Sequence, residues 1–218
     1  MSYAWPTTLG CVAAAVLVSP LLAAWTAAFP DAHPARNVPW WHPRRVSTRR
    51  LLTVAVIAAV LAALAAGAAP MPAWWIFATG GTALAVIDTE HHLLPARIVY
   101  PFAATLLVVL ALSAVVTGEP GRLVRAVLAA AAVGIVWFSV AFIAPTALGL
   151  GDVRMAALTA GMLGWIGWPA VLAGQVATIG LALATAGVIA VSRHGLTRTT
   201  QVPMGPAFVL GALLVVSL

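Results

Sequence analysis

Eight apolar segments, separated by short polar turns, are the feature that most constrains the fold of this 218-residue chain. Hydrophobic residues make up 63% of the sequence and charged residues 7%, which is more apolar surface than a soluble domain of this length could bury. A transmembrane helix needs about 20 mostly apolar residues. We therefore predict an all-α, polytopic integral membrane protein with about eight transmembrane helices, at residues 7–29, 51–69, 73–87, 98–117, 123–143, 152–167, 170–191 and 203–218.

The distribution of positive charge predicts how these helices are oriented. All eleven basic residues are arginines, and they lie in the gaps between apolar segments, which is typical of topology signals and argues against a nucleic-acid-binding face. Loops on the cytoplasmic side carry an excess of basic residues. If the N-terminus lies outside, only Arg122 and Arg125 fall outside with it. Nine arginines then face the cytoplasm: Arg36, Arg44, Arg45, Arg49, Arg50, Arg97, Arg154, Arg193 and Arg198.

Two acids fall at the same predicted membrane depth, Asp88 at the end of the third segment and Asp152 at the start of the sixth. A carboxylate at the centre of a bilayer costs about 2.5–3.5 kcal/mol on insertion scales, so such a group is a functional candidate. Gly149 and Gly151 lack side chains and would let an extended peptide approach Asp152 closely. From spacing and depth alone three roles stay open: a catalytic dyad that shares one proton, a proton- or ion-conducting pair, or a structural role in which Asp152 caps its helix.

Small residues near both acids predict how the two helices could approach one another. Gly81-x-x-x-Ala85 lies on the third segment and Ala160-x-x-x-Gly164 on the sixth. Patterns of this type allow membrane helices to pack closely. We therefore expect the third and sixth helices to pack against each other through these residues.

Three stretches around the acids resemble the signatures of the type IV prepilin leader peptidases, which are membrane-embedded aspartic proteases of the Gly-x-Gly-Asp type. Asp88 is followed by Leu93-Leu94-Pro95, residues 149–155 read Gly-Leu-Gly-Asp-Val-Arg-Met, and residues 202–207 read Val-Pro-Met-Gly-Pro-Ala. The resemblance extends from about residue 51 to residue 218. It implies that Asp88 and Asp152 are the catalytic pair and that the active site is shaped by Leu94, Pro95, Gly149, Gly151, Arg154, Pro203, Gly205 and Pro206.

The same resemblance implies the substrate and the location. Substrates would be pilin-like precursors of a type IV pilus or type II secretion system, which lose a short basic leader on the cytoplasmic side of the bacterial cytoplasmic membrane. We expect one membrane-embedded peptidase domain over residues 1–218, with a first helix and a basic cytoplasmic loop in residues 1–50 and the catalytic core in residues 51–218. The oligomeric state stays open.

Departures from the family pattern predict a peptidase that lacks a second, methylating activity. Many relatives carry a cysteine-rich, zinc-binding cytoplasmic insert that accompanies N-methylation of the product. Residues 31–50 hold no cysteine here, and Cys11 is the only one in the chain, which excludes a thiolate zinc site. We therefore expect no metal, no cofactor and no methylation. Family members often have an acid or amide where this chain has Ala96, and a lysine where it has Arg154.

Two other functions are compatible with paired membrane acids. One is a proton-coupled transporter, although transporter halves usually show matching broken helices and no such repeat is evident here. The other is a catalytically silent assembly factor for pilus-like machinery. The role of Glu90, His91 and His92, which follow Asp88 and Thr89, stays open; solvated side chains at the membrane edge are the simplest interpretation.

Overall fold

The computed structural model describes residues 4–27, 46–145, 148–192 and 202–218. These residues form eight α-helices and no strand, and each predicted transmembrane segment corresponds to one helix. The all-α fold is therefore confirmed. The helices are α1 (Ala4–Ala27), α2 (Thr48–Ala65), α3 (Met71–His91), α4 (Ala96–Thr117), α5 (Pro120–Ile143), α6 (Leu150–Ile166), α7 (Trp168–Ser192) and α8 (Gly205–Ser217).

Five helices of the described part are long and apolar enough to cross a membrane, which makes the chain a multi-pass membrane protein. Helices α6 and α8 are shorter, with 17 and 13 residues, and α3 is not among the five. The total of eight crossings therefore stays a prediction. The five segments are Pro6–Ala27, Thr48–Ala65, Ala96–Thr117, Pro120–Ile143 and Trp168–Ser192.

Proline and glycine mark several helix boundaries, as their backbone chemistry predicts. Pro72 lies in the first turn of α3 and Pro120 opens α5, positions at which a missing N–H costs no helical hydrogen bond. Helix α4 ends at Gly118, whose φ of 68° is a left-handed conformation that glycine adopts without steric cost. The third segment was predicted to end at residue 87, whereas α3 continues to His91 and carries Asp88 in its last turns.

The helices form an inner group of three and an outer group of five. Helix α8 packs against both α3 and α6, while α1, α2, α4, α5 and α7 lie around these three. Among the largest fully buried side chains are Trp74 and Phe77 of α3, Trp165 of α6 and Phe208 of α8. The outer five are the same helices that qualify as membrane spans. Helices that face lipid must be apolar, whereas helices covered by protein can carry glycine, threonine and acids.

The small-residue patterns pack, but against other helices than expected. A Cβ atom on Gly81 would lie 2.9 Å from Cγ1 of Val209 in α8. A Cβ atom on Gly164 would lie 2.7 Å from Cβ of Ala129 and 2.9 Å from Cα of Ala126, both in α5. The expectation that these patterns join the third and sixth helices directly was wrong, because α8 lies against both. A small-residue pattern identifies a face that a helix can approach but not the helix that approaches it.

Two arginines tie helix ends together at opposite ends of the bundle. Arg50, at the start of α2, forms a bidentate ion pair with Glu90 near the end of α3, with N–O distances of 2.7 and 2.9 Å, and donates to the hydroxyl of Thr26 at the end of α1. At the other end, Arg125 of α5 donates from Nε to the carbonyl of Gly164, 2.7 Å away, near the end of α6. These contacts are consistent with the predicted alternation of helix direction.

Candidate active site

Asp88 is a buried acid near the end of α3, with 4% of its surface exposed. The helix ends three residues later at His91, and its cap residue His92, in a left-handed conformation (φ 52°), donates its N–H to the carbonyl of Asp88 over 2.8 Å. Burial of a carboxylate is costly unless a hydrogen bond or an opposite charge compensates. For Asp88 this compensation comes from a distant part of the chain, because the N–H of Gly205 donates to Oδ2 of Asp88 over 2.6 Å.

Gly205 begins α8, and its lack of a side chain is what permits this bond. A Cβ atom at this position would lie 2.9 Å from Cβ and 3.0 Å from Oδ2 of Asp88, so a larger residue would collide with the acid. The free N–H groups of a helix N-terminus favour a negative charge nearby. Pro206 occupies the first turn of α8, and Pro203 is half-buried in the segment that leads into it. The predicted Pro203–Gly205–Pro206 stretch therefore places a helix N-terminus on Asp88.

Asp152 is half-buried in the first turn of α6. Its Oδ2 accepts a hydrogen bond from the N–H of Gly149, the residue that caps this helix, over 3.1 Å. An acid at the third helical position often reaches back to the cap residue in this way. The helix-capping role considered for Asp152 is thus present, and it engages one oxygen of the carboxyl group.

The two acids lie at the same end of the bundle. Asp88 is in the last turns of α3 and Asp152 in the first turn of α6, and the loop after Asp88 packs on the turn before Asp152. Each acid uses Oδ2 to accept a glycine N–H, and both glycines belong to stretches that the sequence singled out. A carboxyl group has about four acceptor positions on its two oxygens, so these bonds leave each acid able to exchange a proton with water or a substrate.

The loop after Asp88 packs directly on the turn before Asp152. A Cβ atom on Gly151 would lie 2.8 Å from Cβ and 3.2 Å from the carbonyl oxygen of Leu94, which is buried. Pro95 follows as the N-terminal cap of α4, and its carbonyl accepts hydrogen bonds from the N–H groups of Ile98 and Val99 in that helix. Leu94 and Gly151 therefore hold the two acid-bearing segments together, because any side chain at residue 151 would push them apart.

Comparison with known proteins assigns the chain to a family. The family model of the type IV leader peptidase family matches residues 75–191, more than half of the chain. The chain belongs to the type IV leader peptidase family. No curated protein and no solved structure gives a significant match. The matched region contains Asp88, Asp152 and the Leu94–Gly151 contact and ends before α8. Because the family consists of leader peptidases and the chain is a multi-pass membrane protein, the protein is a membrane protease with the general role of a leader peptidase.

The side chain of Arg154 in this leader peptidase contacts Tyr100. Its Nε donates to the hydroxyl of Tyr100 over 3.1 Å, and its guanidinium lies 5.3 Å from the centre of the same ring. The contact joins α4 and α6 near their starts, at the end of the bundle that holds the two acids. Sequence reasoning missed Tyr100, although a tyrosine close after Pro95 at a predicted membrane edge was a usable signal.

The side chains that follow Thr89 have different surroundings in the structure: Glu90, His91 and His92. Glu90 pairs with Arg50, as described above, and Nε2 of His91 lies 3.9 Å from Oε2 of Glu90. His92 is exposed and ends α3. Sequence reasoning did not predict the Arg50 pair, which could have been sought as an opposite charge at a neighbouring helix end.

The described side chains of the leader peptidase include no group of three His, Cys, Asp or Glu residues placed as metal ligands would be. His33 and His42, together with most of the loop over residues 31–50, lie outside the described residues. The same holds for Arg36, Arg44, Arg45, Arg193 and Arg198.

Proposed function

We propose that this leader peptidase is an aspartic endopeptidase in which Asp88 and Asp152 form the catalytic dyad. The observation that carries the proposal is that two acids from distant helices lie at the same end of the bundle, where each accepts a glycine N–H through Oδ2 and their segments touch at Leu94 and Gly151. A structural acid needs no second acid beside it, since two negative charges at close range repel each other. Two carboxyl groups that share one proton are the arrangement used by aspartic proteases.

The chemistry requires one ionised and one protonated acid. The ionised acid takes a proton from a water molecule while the water oxygen attacks the carbonyl carbon of the scissile peptide. The protonated acid donates its proton to the carbonyl oxygen, which gives a tetrahedral diol. The C–N bond then breaks as the leaving amine takes a proton from one acid and a diol hydroxyl returns a proton to the other, which gives the carboxylic acid product and restores the singly protonated dyad. The roles belong to the pair, because coupled acids titrate as one unit.

The proposed substrates are pilin-like precursors, cut on the cytoplasmic face of a bacterial cytoplasmic membrane. At the end of the bundle that holds the acids, four arginines lie near the starts of α2, α4 and α6: Arg49, Arg50, Arg97 and Arg154. Arg122 and Arg125 lie near the start of α5, at the opposite end. This distribution supports a cytoplasmic site through the positive-inside rule. A basic leader on the same side would be cut next to the apolar helix that stays in the membrane.

We further propose that the whole chain is one peptidase domain that does not methylate its product. Helix α1 packs against α2 and α3, which supports its inclusion with the core. The lack of methylation rests on the sequence of residues 31–50, which has no cysteine. We find no observation that favours a proton-coupled transporter, and the family match favours a protease.

The direct test is co-expression of this protein with pilin-like precursors encoded in the same genome. Leader removal shortens the precursor and increases its mobility on a denaturing gel. We expect at least one precursor to shift in the presence of the wild-type protein and none in its absence. If every precursor stays uncut beside well-expressed, membrane-inserted protein, the catalytically silent assembly factor becomes the better description.

A further inference from the structure

A cavity of about 570 Å³ opens between α2, α3 and α8, next to the candidate dyad. Its wall includes Ala85 and Thr89, which lie on α3 three residues before and one residue after Asp88. It also includes Pro206, the neighbour of the glycine that bonds Asp88. The volume is within the range of about 300–1,000 Å³ for sites that bind ligands. The cavity therefore borders the segments of α3 and α8 that hold Asp88.

The wall of this cavity changes from polar to apolar along its length. At the end formed by the start of α2 and the end of α3, it is lined by charged and hydroxyl side chains. One turn further along, Val54 of α2 and Val86 of α3 begin a wholly apolar section. The change falls beside Asp88. The polar group is Ser47, Arg49, Arg50, Thr53, Thr89 and Glu90, and the apolar group includes Val54, Ile57, Val60, Leu61, Val86, Val209 and Leu210.

We propose that this cavity receives the first turns of the apolar helix of the peptide substrate. The inference rests on the proposed leader-peptidase function. A precursor cut at the junction of a polar leader and an apolar helix has the same change of polarity as the cavity, at the level of the acids. From Val54 to Leu61 the apolar section covers eight residues of α2, or about 10 Å at a rise of 1.5 Å per residue, which is about two helical turns. The polar leader then leaves the cavity past Glu90 and Arg49.

A second cavity on the other side of the bundle has a much smaller polar part, with two polar side chains where the first cavity has six. It lies between α4, α5 and α6 and has a similar volume of about 580 Å³. Its polar side chains are Tyr100 and Arg154, which bond each other. The remainder of its wall is apolar and suits lipid chains, which makes it a matched control for the cavity between α2, α3 and α8.

Disulfide trapping tests the location of the substrate helix. The single native cysteine is replaced by Cys11→Ala, and single cysteines are introduced as Val60→Cys or Leu210→Cys in the proposed cavity and as Leu107→Cys or Ile135→Cys in the control cavity. Asp152→Asn keeps the precursor uncut. The precursor is one that the wild-type protein cleaves, with one cysteine in the first two turns of its apolar helix. We expect disulfides with residues 60 and 210 and not with residues 107 and 135.

Blocking the cavity gives an independent readout. Val60 and Leu107 are 52% and 48% exposed, so both positions can accept a tryptophan at the surface of the bundle. We expect Val60→Trp to raise KM by about ten-fold with kcat retained, because the cavity binds the substrate before and during the reaction, and Leu107→Trp to leave both unchanged.

The outcomes separate this inference from the proposed function. If the wild-type protein cleaves precursors but disulfides form at the control cavity, or at neither, the substrate helix lies elsewhere and only the docking inference fails. Equal effects of Val60→Trp and Leu107→Trp would also refute it, since lipid would then be the occupant of both. If the wild-type protein cleaves no precursor, the proposed function fails and the docking inference fails with it.

Discussion

The N–H of Gly205 donates to Oδ2 of Asp88 over 2.6 Å, and the two residues are 117 positions apart in the chain. The contact leaves no room for a side chain at residue 205. Helix α8 therefore holds the carboxyl group of α3 in place while it also packs against α6, the helix that carries Asp152. The position of Asp88 relative to Asp152 therefore depends on this third helix, which carries neither acid.

We predict that Gly205→Ala lowers leader cleavage by about 100-fold, because a displacement of reacting groups by about 1 Å has an effect of that size. The added Cβ would lie 2.9 Å from Cβ of Asp88, so either the acid or α8 must move. The matched control is Gly180→Ala in α7, where nothing lies within 4 Å of an added Cβ. Cleavage rates of both variants with one precursor are the measurement. Normal cleavage by Gly205→Ala would show that the contact does not set the geometry of the site.

Replacing either acid with its amide should stop proton transfer while the shape of the side chain is kept. We expect Asp88→Asn and Asp152→Asn each to lower kcat by about 10²–10⁴-fold, the usual contribution of a general acid or base. Glu119→Gln is the control, since Glu119 pairs with Arg122 at the other end of the bundle and should not affect cleavage. A well-expressed amide variant that still turns over substrate at a substantial rate would rule out the dyad.

The Arg50–Glu90 pair should support the last turns of α3 and, through them, Asp88. Glu90→Arg places two positive charges side by side and should lower both the cleavage rate and the thermal stability. The double variant Arg50→Glu with Glu90→Arg should restore most of both. Because Glu90 is 38% exposed, solvent weakens the interaction, and we expect a coupling free energy of about 1 kcal/mol or less. The Arg122–Glu119 pair, 42% exposed on both sides, is the matched control for which we expect no effect on cleavage. Absence of any rescue by the double variant would contradict this role.

The product should carry an unmodified amine at its new N-terminus. Methylating relatives hold zinc through paired cysteines in a cytoplasmic insert, and this chain has one cysteine, in α1. Mass spectrometry of mature pilin from cells with this protein as the sole processing enzyme measures the terminal residue. A terminal residue heavier by one methyl group, together with methyl transfer by the purified protein, would overturn the prediction.

The segments over residues 30–50 and 192–202 should both lie in the cytoplasm, because together they contain seven arginines. Fusions of a reporter that is active on one side of the membrane only, placed in each segment, measure this. A fusion in the turn around residue 119 should give the opposite signal. Either basic segment on the outer side would invert the proposed topology and separate the site from cytoplasmic leaders.

Much of the architecture could be predicted from local sequence. The eight helices follow from apolar segments and from proline and glycine at their ends, and Asp88 and Asp152 were placed at the same end of the bundle by alternating the helices. The ends were less accurate, and α3 continues past residue 87 because Thr89, Glu90 and His91 stay helical up to the left-handed cap at His92. Hydropathy detects where apolar sequence stops, but a helix can continue into the polar region.

The sequence by itself determined the membrane class, the helices, the family and the two acids, because apolar length, turn residues and short motifs are local properties. Only the tertiary structure decided which helices are neighbours: Gly81 meets Val209 of α8, Gly164 meets α5, and Gly205 meets Asp88. Between helices in lipid the hydrophobic effect gives no preference for one apolar face over another, so close packing and a few hydrogen bonds select the partners. Those contacts join residues far apart in the chain, and no local pattern specifies them.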